Sequence, residues 1–148
     1  MSKFPIINLH EKFTLASWKP VLDHRGLEQL IKNYFHIAIP DEYLTLVTLI
    51  SDVELKMMGS TEYIRIWGAE GCNELNAAYH VQDYIPQALA IGDDEGGKVI
   101  FYADGKEGFG LYLVGFGNLE LDDAVYIAPS LKALLIDGIG VGSFLMSD

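Results

Sequence analysis

Asp93, Asp94 and Glu95 follow one another between Gly92 and the pair Gly96-Gly97. Carboxylates placed this way can do three kinds of chemistry. They can offer oxygens to a hard cation such as calcium or magnesium. Two of them, in an enclosing pocket that raises one pKa, can share acid–base work. They can also meet a basic partner at a protein surface. The spacing does not follow the calcium-loop pattern, and carboxylates adjacent along a chain point apart, so no metal role is predicted. Three acids in a row resist burial, which predicts a loop that faces water or a partner.

The remaining reactive residue types form no set. His10, His24, His36 and His80 include no i, i+4 pair and none lies beside a cysteine, so zinc spacing is absent. Cys72 has no activating neighbour in sequence and reads as a small buried filler. Gly138-Ile139-Gly140-Val141-Gly142 follows a helical pattern and opens no helix, so it fails the context test for a dinucleotide-binding turn. Gly115-Phe116-Gly117 fails it too. Neither a G-x-S-x-G elbow nor a phosphate-binding P-loop occurs. The expectation is a non-enzymatic chain with no catalytic residues, no metal and no cofactor.

Composition narrows the class. The 148 residues suit one domain, able to bury roughly 68–70% of its unfolded surface without a metal or disulfide. Cys72, the single cysteine, excludes an internal disulfide and fits a reducing compartment. Met-Ser-Lys-Phe-Pro-Ile-Ile at the start is too short and too soon broken to act as a secretory signal. No apolar run approaches the length of a bilayer span. A cytoplasmic location and no membrane contact are expected. The net charge is −11, and it is uneven. Residues 1–66 carry eight acids and seven bases, whereas residues 67–148 carry thirteen acids and three bases, Lys98, Lys106 and Lys132. Such a surface repels phosphates, so direct nucleic-acid binding is not expected. It either keeps the chain soluble or draws in a basic partner.

The elements that must carry these residues are legible from period. Phe13 to Trp18 reads as a short strand or an N-terminal arm, ended by Pro20. From Asp23 to His36, Leu27, Leu30, Ile31, Tyr34 and Phe35 share one face of a helix with Asp23 as its cap. Pro40 restarts a helix in which Tyr43, Leu46, Val47 and Ile50 continue the stripe. Alternation begins at Val53, Leu55 and Met57 and resumes at Tyr63 to Trp67, with Gly59-Ser60-Thr61 as the hairpin between. Gly68 to Gly71 reads as a loop, and Cys72 to Tyr84 as a short helix using Leu75, Ala78 and Tyr79. Strands are predicted at 88–91, 98–103, 111–114 and 124–127. Ser130 opens a last helix with Leu131, Leu134 and Leu135 inward, ending at Gly138. The glycine-rich tail from Ile139 packs loosely or continues the domain edge. Helices, then strands, then a helix predict an α+β domain with a mainly antiparallel sheet.

Taken together, several of these segments resemble the SUKH superfamily, which takes in a yeast cell-wall-synthesis regulator and many bacterial immunity proteins. Ile39-Pro40-Asp41-Glu42-Tyr43 looks like the family's Leu-Pro-x-x-Tyr helix start. Trp67 follows a strand as the family's tryptophan does, with Asn76 and Tyr79 in the polar segment after it. Ile91 to Gly97 resembles the Gly-Asp-Gly-Gly loop before a central strand. Ala128-Pro129-Ser130-Leu131 resembles the closing helix start. The likeness spans about residues 25–138. Ile50-Ser51-Asp52-Val53 stands where the family has Asn-Gly, and Leu131 where it has an aromatic residue.

The resemblance implies an α+β fold with a curved antiparallel sheet flanked by helices, and an immunity role: binding and neutralising a cognate polymorphic toxin, often a nuclease or deaminase. A basic toxin cleft suits an acidic surface. Expected contact residues are Asp93, Asp94, Glu95, Glu120, Asp122 and Asp123, with Trp67, Asn76 and Tyr79 lining a nearby groove unless Trp67 belongs to the core. The eukaryotic members suggest an alternative, an intracellular adaptor that binds a host protein. A pocket near the acidic loop that serves an enzyme or small ligand is a third. Oligomeric state is left open.

Overall fold

The computed structural model describes residues 9–145. The segment Met1–Ile7, read above for a secretory signal, lies outside them. The architecture is α+β. Seven antiparallel strands stand side by side in chain order, a meander without a crossover. They are β1 (Phe13–Pro20), β2 (Ile50–Met57), β3 (Tyr63–Ile66), β4 (Leu89–Asp93), β5 (Lys98–Gly105), β6 (Gly108–Gly115) and β7 (Val125–Ala128). The helices are α1 (Arg25–Asn33), α2 (Asp41–Leu49), α3 (Ala69–Ala78), α4 (Val81–Tyr84), α5 (Leu131–Leu135) and α6 (Gly142–Leu145).

The sheet separates two apolar layers. On one face Val53, Leu55, Ile64, Ile66, Leu89, Ile91, Ile100 and Leu111 meet α2, α5 and the buried end of α1. On the other, Trp67, Ala90, Val99, Phe101, Tyr112 and Val114 meet Val81 and Ile85 around α4 and Leu119 from the β6–β7 connection. This explains the unbroken apolar run of β5. Val99, Ile100, Phe101, Tyr102 and Ala103 are all buried because both of its faces are covered. β2 is covered on one face and alternates accordingly.

Several expectations are corrected. The ambiguous Phe13 segment is an edge strand. α1 ends at Asn33, three residues short of His36. Tyr34 and Phe35 therefore leave the helical period, and Ile31 and Phe35 are exposed while Leu30 and Tyr34 are buried. Asp23 accepts a hydrogen bond from the Arg25 N–H at 3.0 Å, one turn position earlier than a cap. Ile50 opens β2 instead of closing α2. Gly68 to Gly71 is no loop: Gly68 caps α3 and the next three residues are its first turn. The inward face of α3 is Ala69, Cys72 and Asn76, so Ala78 and Tyr79 point outward. In the described part of the tail, residues 139–145, Val141 and Phe144 are buried in the main core.

Candidate functional site

Strand direction decides which loops meet. β2, β4 and β6 end where β3, β5 and β7 begin, so three connections emerge at one end of the sheet. These are the 58–62 hairpin, the 94–97 hairpin and the long 116–124 connection. Asp93, Asp94 and Glu95 therefore share an end with Glu120, Asp122 and Asp123. The Phe116 N–H donates to the Gly97 carbonyl at 2.9 Å and ties the second acidic segment to the first. The Asp104 to Glu107 turn, by contrast, lies at the opposite end.

The first acidic segment is built, not merely tethered. Asp93 belongs to β4, opposite Arg65 of β3, and is not part of the loop as expected. Its Oδ2 accepts from the Trp67 indole Nε1 at 2.9 Å, and its Oδ1 from the Glu95 N–H at 2.8 Å. Asp94 Oδ1 accepts from the N–H groups of Gly96 at 2.8 Å and Lys98 at 2.9 Å. These bonds hold Glu95 at φ 57°, a left-handed conformation that a residue with a side chain adopts at a cost of about 1–2 kcal/mol. Gly97 at φ 101° meets the same demand without cost. Gly92 has a different reason. A Cβ there would lie 2.3 Å from the Arg65 carbonyl oxygen, so only glycine lets β3 and β4 approach.

The turn aims Glu95 back over the sheet. Arg65 lies 3.5 Å from Glu95 Oε2 and 3.4 Å from Glu54 Oε2, so two carboxylates share one guanidinium. Partial burial pushes the Glu95 carboxyl up to about 7, helped by hydrogen bonding with Glu54 and by the Glu54 and Asp93 charges, against the pull of Arg65. Glu54 and Arg65 were not singled out from sequence. The signal was present: alternation puts both on the face opposite Leu55 and Ile64.

Trp67 and Asn76 lie beneath this surface. Trp67 is 3% exposed and Asn76 1%. Trp67 is pinned twice, by its indole and by the Tyr43 hydroxyl, which donates to its carbonyl at 2.6 Å. Asn76 replaces a strand. β3 leaves β4 after Ile66 and Trp67, and α3 lies along what remains. There the Asn76 Nδ2 donates to the Ala90 carbonyl at 2.8 Å, and its Oδ1 accepts the Ala90 N–H at 3.0 Å. Gln82 Nε2 completes the amide by donating to Asn76 Oδ1 at 3.0 Å. Tyr79 is at the surface, its ring against Phe116. Beside Asn76 in the core, burial pushes the Cys72 thiol up to about 12, against hydrogen bonds with Tyr43 and Asn76 that favour the thiolate. A protonated, buried thiol is a filler and not a nucleophile.

Among the described residues, no group of three or more His, Cys, Asp or Glu side chains is placed to hold a metal ion. In the 93–95 segment both Asp93 oxygens, Asp94 Oδ1 and Glu95 Oε2 are instead engaged by backbone N–H groups, the Trp67 indole and the Arg65 guanidinium. No helix of the described residues is long and apolar enough to cross a membrane. One groove, of about 260 Å³, lies at the far end between Lys19, Asp23, Ser51 and Glu70, with charges of both signs. A second, of about 370 Å³, lies at the acidic end beside Lys98, Asn118, Asp123 and Val125. No known protein-family model matches the chain, and no curated protein sequence matches it either.

Proposed function

We propose that this protein is a non-enzymatic binding module that engages a basic protein partner with the acidic end of its sheet. The observation that supports this most is the convergence of Asp93–Glu95 and Glu120–Asp123 at one end, joined through Phe116 and Gly97. Carboxylates at a preorganised surface steer a cationic partner and fix its register. On the resemblance to the SUKH superfamily, the partner is a cognate polymorphic toxin domain of the nuclease or deaminase type, and the chain is an immunity protein acting in the cytoplasm. A nuclease must present cations to phosphate, and an acidic surface that covers them blocks the enzyme without chemistry of its own.

The test is purification of the protein from its native host, with the adjacent reading frames examined. The expected result is a co-purifying protein with a C-terminal toxin domain, encoded next door and released by raised salt. Glu120→Lys combined with Asp122→Lys should then weaken capture of that toxin at least tenfold. A host protein encoded elsewhere, captured reproducibly, would replace the immunity reading with the adaptor reading. A toxin bound equally well by the charge-reversed variant would place the interface away from the acidic end.

A further inference from the structure

One aromatic pair stands at the acidic end without being enclosed. Tyr79 closes α3 and is 41% exposed. Its ring meets that of half-buried Phe116, with centroids 4.3 Å apart and planes inclined by 35°. Phe116 also packs on the second core layer, and its N–H is held by the Gly97 carbonyl. The pair is therefore fixed in place from two sides, by the end of a helix and by the acidic hairpin.

The segments that flank it carry more acids than bases: Asp94 and Glu95 against Lys98 in and beside the hairpin, and Glu120, Asp122 and Asp123 in the 116–124 connection. The 94–97 hairpin, with Asp94 and Glu95, abuts Phe116 through that backbone bond. The chain then runs through Asn118, whose Nδ2 donates to Asp123 Oδ2 at 3.1 Å, into Glu120, Asp122 and Asp123, all exposed. An aromatic face attracts cations, and carboxylates at its margin add to the attraction. Lysine and arginine answer this differently. An ammonium is compact and strongly hydrated, so it favours the carboxylates and leaves the rings. A guanidinium is flat and weakly hydrated, stacks on rings and forks onto a carboxylate at the same time. Binding surfaces concentrate their energy in such tyrosine and arginine contacts, surrounded by a polar rim.

We propose that Tyr79 and Phe116 form the anchor of the binding surface and take an arginine side chain of a basic protein partner. The guanidinium stacks on the pair, while Glu120, Asp122 and Asp123 hold it and its cationic neighbours. This rests on the reading of the acidic end as a binding surface and adds to it the residue class recognised there.

Labelled octa-arginine and octa-lysine peptides, titrated into the full chain at low salt, separate the two readings. The expected result is that both bind and that octa-arginine binds about tenfold tighter. Tyr79→Leu and Phe116→Leu, which keep apolar bulk, should each remove most of that preference and leave the octa-lysine affinity unchanged. Thermal melts report whether the variants fold, and Tyr79→Leu, at an exposed position, carries the test alone if Phe116→Leu does not. An arginine preference that survives in the leucine variants, or none in the parent protein, overturns the aromatic anchor and leaves the acidic surface standing. Failure of both peptides to bind overturns the acidic surface together with the anchor.

Discussion

Asn76 stands where a strand should be, and two backbone groups of Ala90 depend on it. Removing its amide leaves the buried Ala90 N–H without a partner and the Ala90 C=O with only the weak Cys72 thiol donor at 3.3 Å, where a fully orphaned buried group costs about 1–3 kcal/mol. Asn76→Ala should therefore lower unfolding free energy by about 3 kcal/mol, read as a reduced midpoint in urea with an unchanged slope. Asn76→Asp should be no better, since a carboxylate cannot donate to the Ala90 carbonyl. Glu95 makes the opposite kind of prediction. Its folded pKa is about 7 against an ordinary 4.5, so the folded state holds a proton that the unfolded state gives up. Stability associated with this group is present below pH 4.5 and is lost as pH rises through 7. Glu95→Gln, which cannot ionise, should narrow the drop in melting temperature between pH 6 and pH 8. An undiminished drop would mean that Glu95 ionises normally. Sequence marked both residues as candidates but not their roles. Asn76 acts on a backbone fourteen positions away, and Glu95 on charges of two other strands, Glu54 and Arg65. Local spacing contains neither distance.

Elements are joined here by side chains that cross between them. Glu42, from the first turn of α2, accepts the Tyr102 hydroxyl from β5 at 2.6 Å and the N–H groups of Leu131 and Lys132 at 2.6 and 3.1 Å. Those two N–H groups are orphan donors at the start of α5, which Ser130 caps at the Ala133 N–H. One carboxylate thus locks α2, β5 and α5. Glu42→Ala should cost about 3 kcal/mol in chemical denaturation, and Tyr102→Phe, which removes one of the three bonds, about 1 kcal/mol. Equal losses would mean that Tyr102 alone carries the lock. The strands were legible because alternation and apolar runs report burial directly. α3 was misread at its start because Gly68 and Gly71 have the composition of a loop. Gly68 is glycine for packing, because a Cβ there would lie 2.8 Å from the Ser51 Cα, whereas a Cβ on Gly71 would make only an ordinary contact with the Trp67 Cβ at 3.4 Å. A glycine required by a neighbouring element looks, in sequence, like a glycine required by a turn.

At the scale of the molecule, the meander turns a charge gradient along the chain into a charge gradient through space. Strands in sequence order alternate in direction, so acidic connections spaced two strands apart fall at the same end. This was not read from the sequence, because it needs the pairing order as well as the strands. A net charge of −11 makes the folded state repel itself, most strongly at the end that carries both the 94–97 hairpin and Glu120, Asp122 and Asp123. The Debye length shrinks from about 30 Å at 0.01 M salt to about 10 Å at 0.1 M, shorter than the roughly 15 Å spanned by the four strands β4 to β7. Melting temperature should therefore rise between 0.01 and 0.1 M sodium chloride. Neutralising the acidic end with Asp122→Asn and Asp123→Asn should remove part of that rise. Neutralising Asp104 and Glu107 at the other end changes the net charge equally, but with Lys106 between them it relieves less repulsion and should leave the rise closer to that of the parent protein. If the two double variants behave alike, net charge governs the stability of this fold and its arrangement does not. If they differ as expected, the end that is costly to the free protein is the one that a cationic partner would relieve. The same salt should then loosen the complex while it stabilises the protein alone.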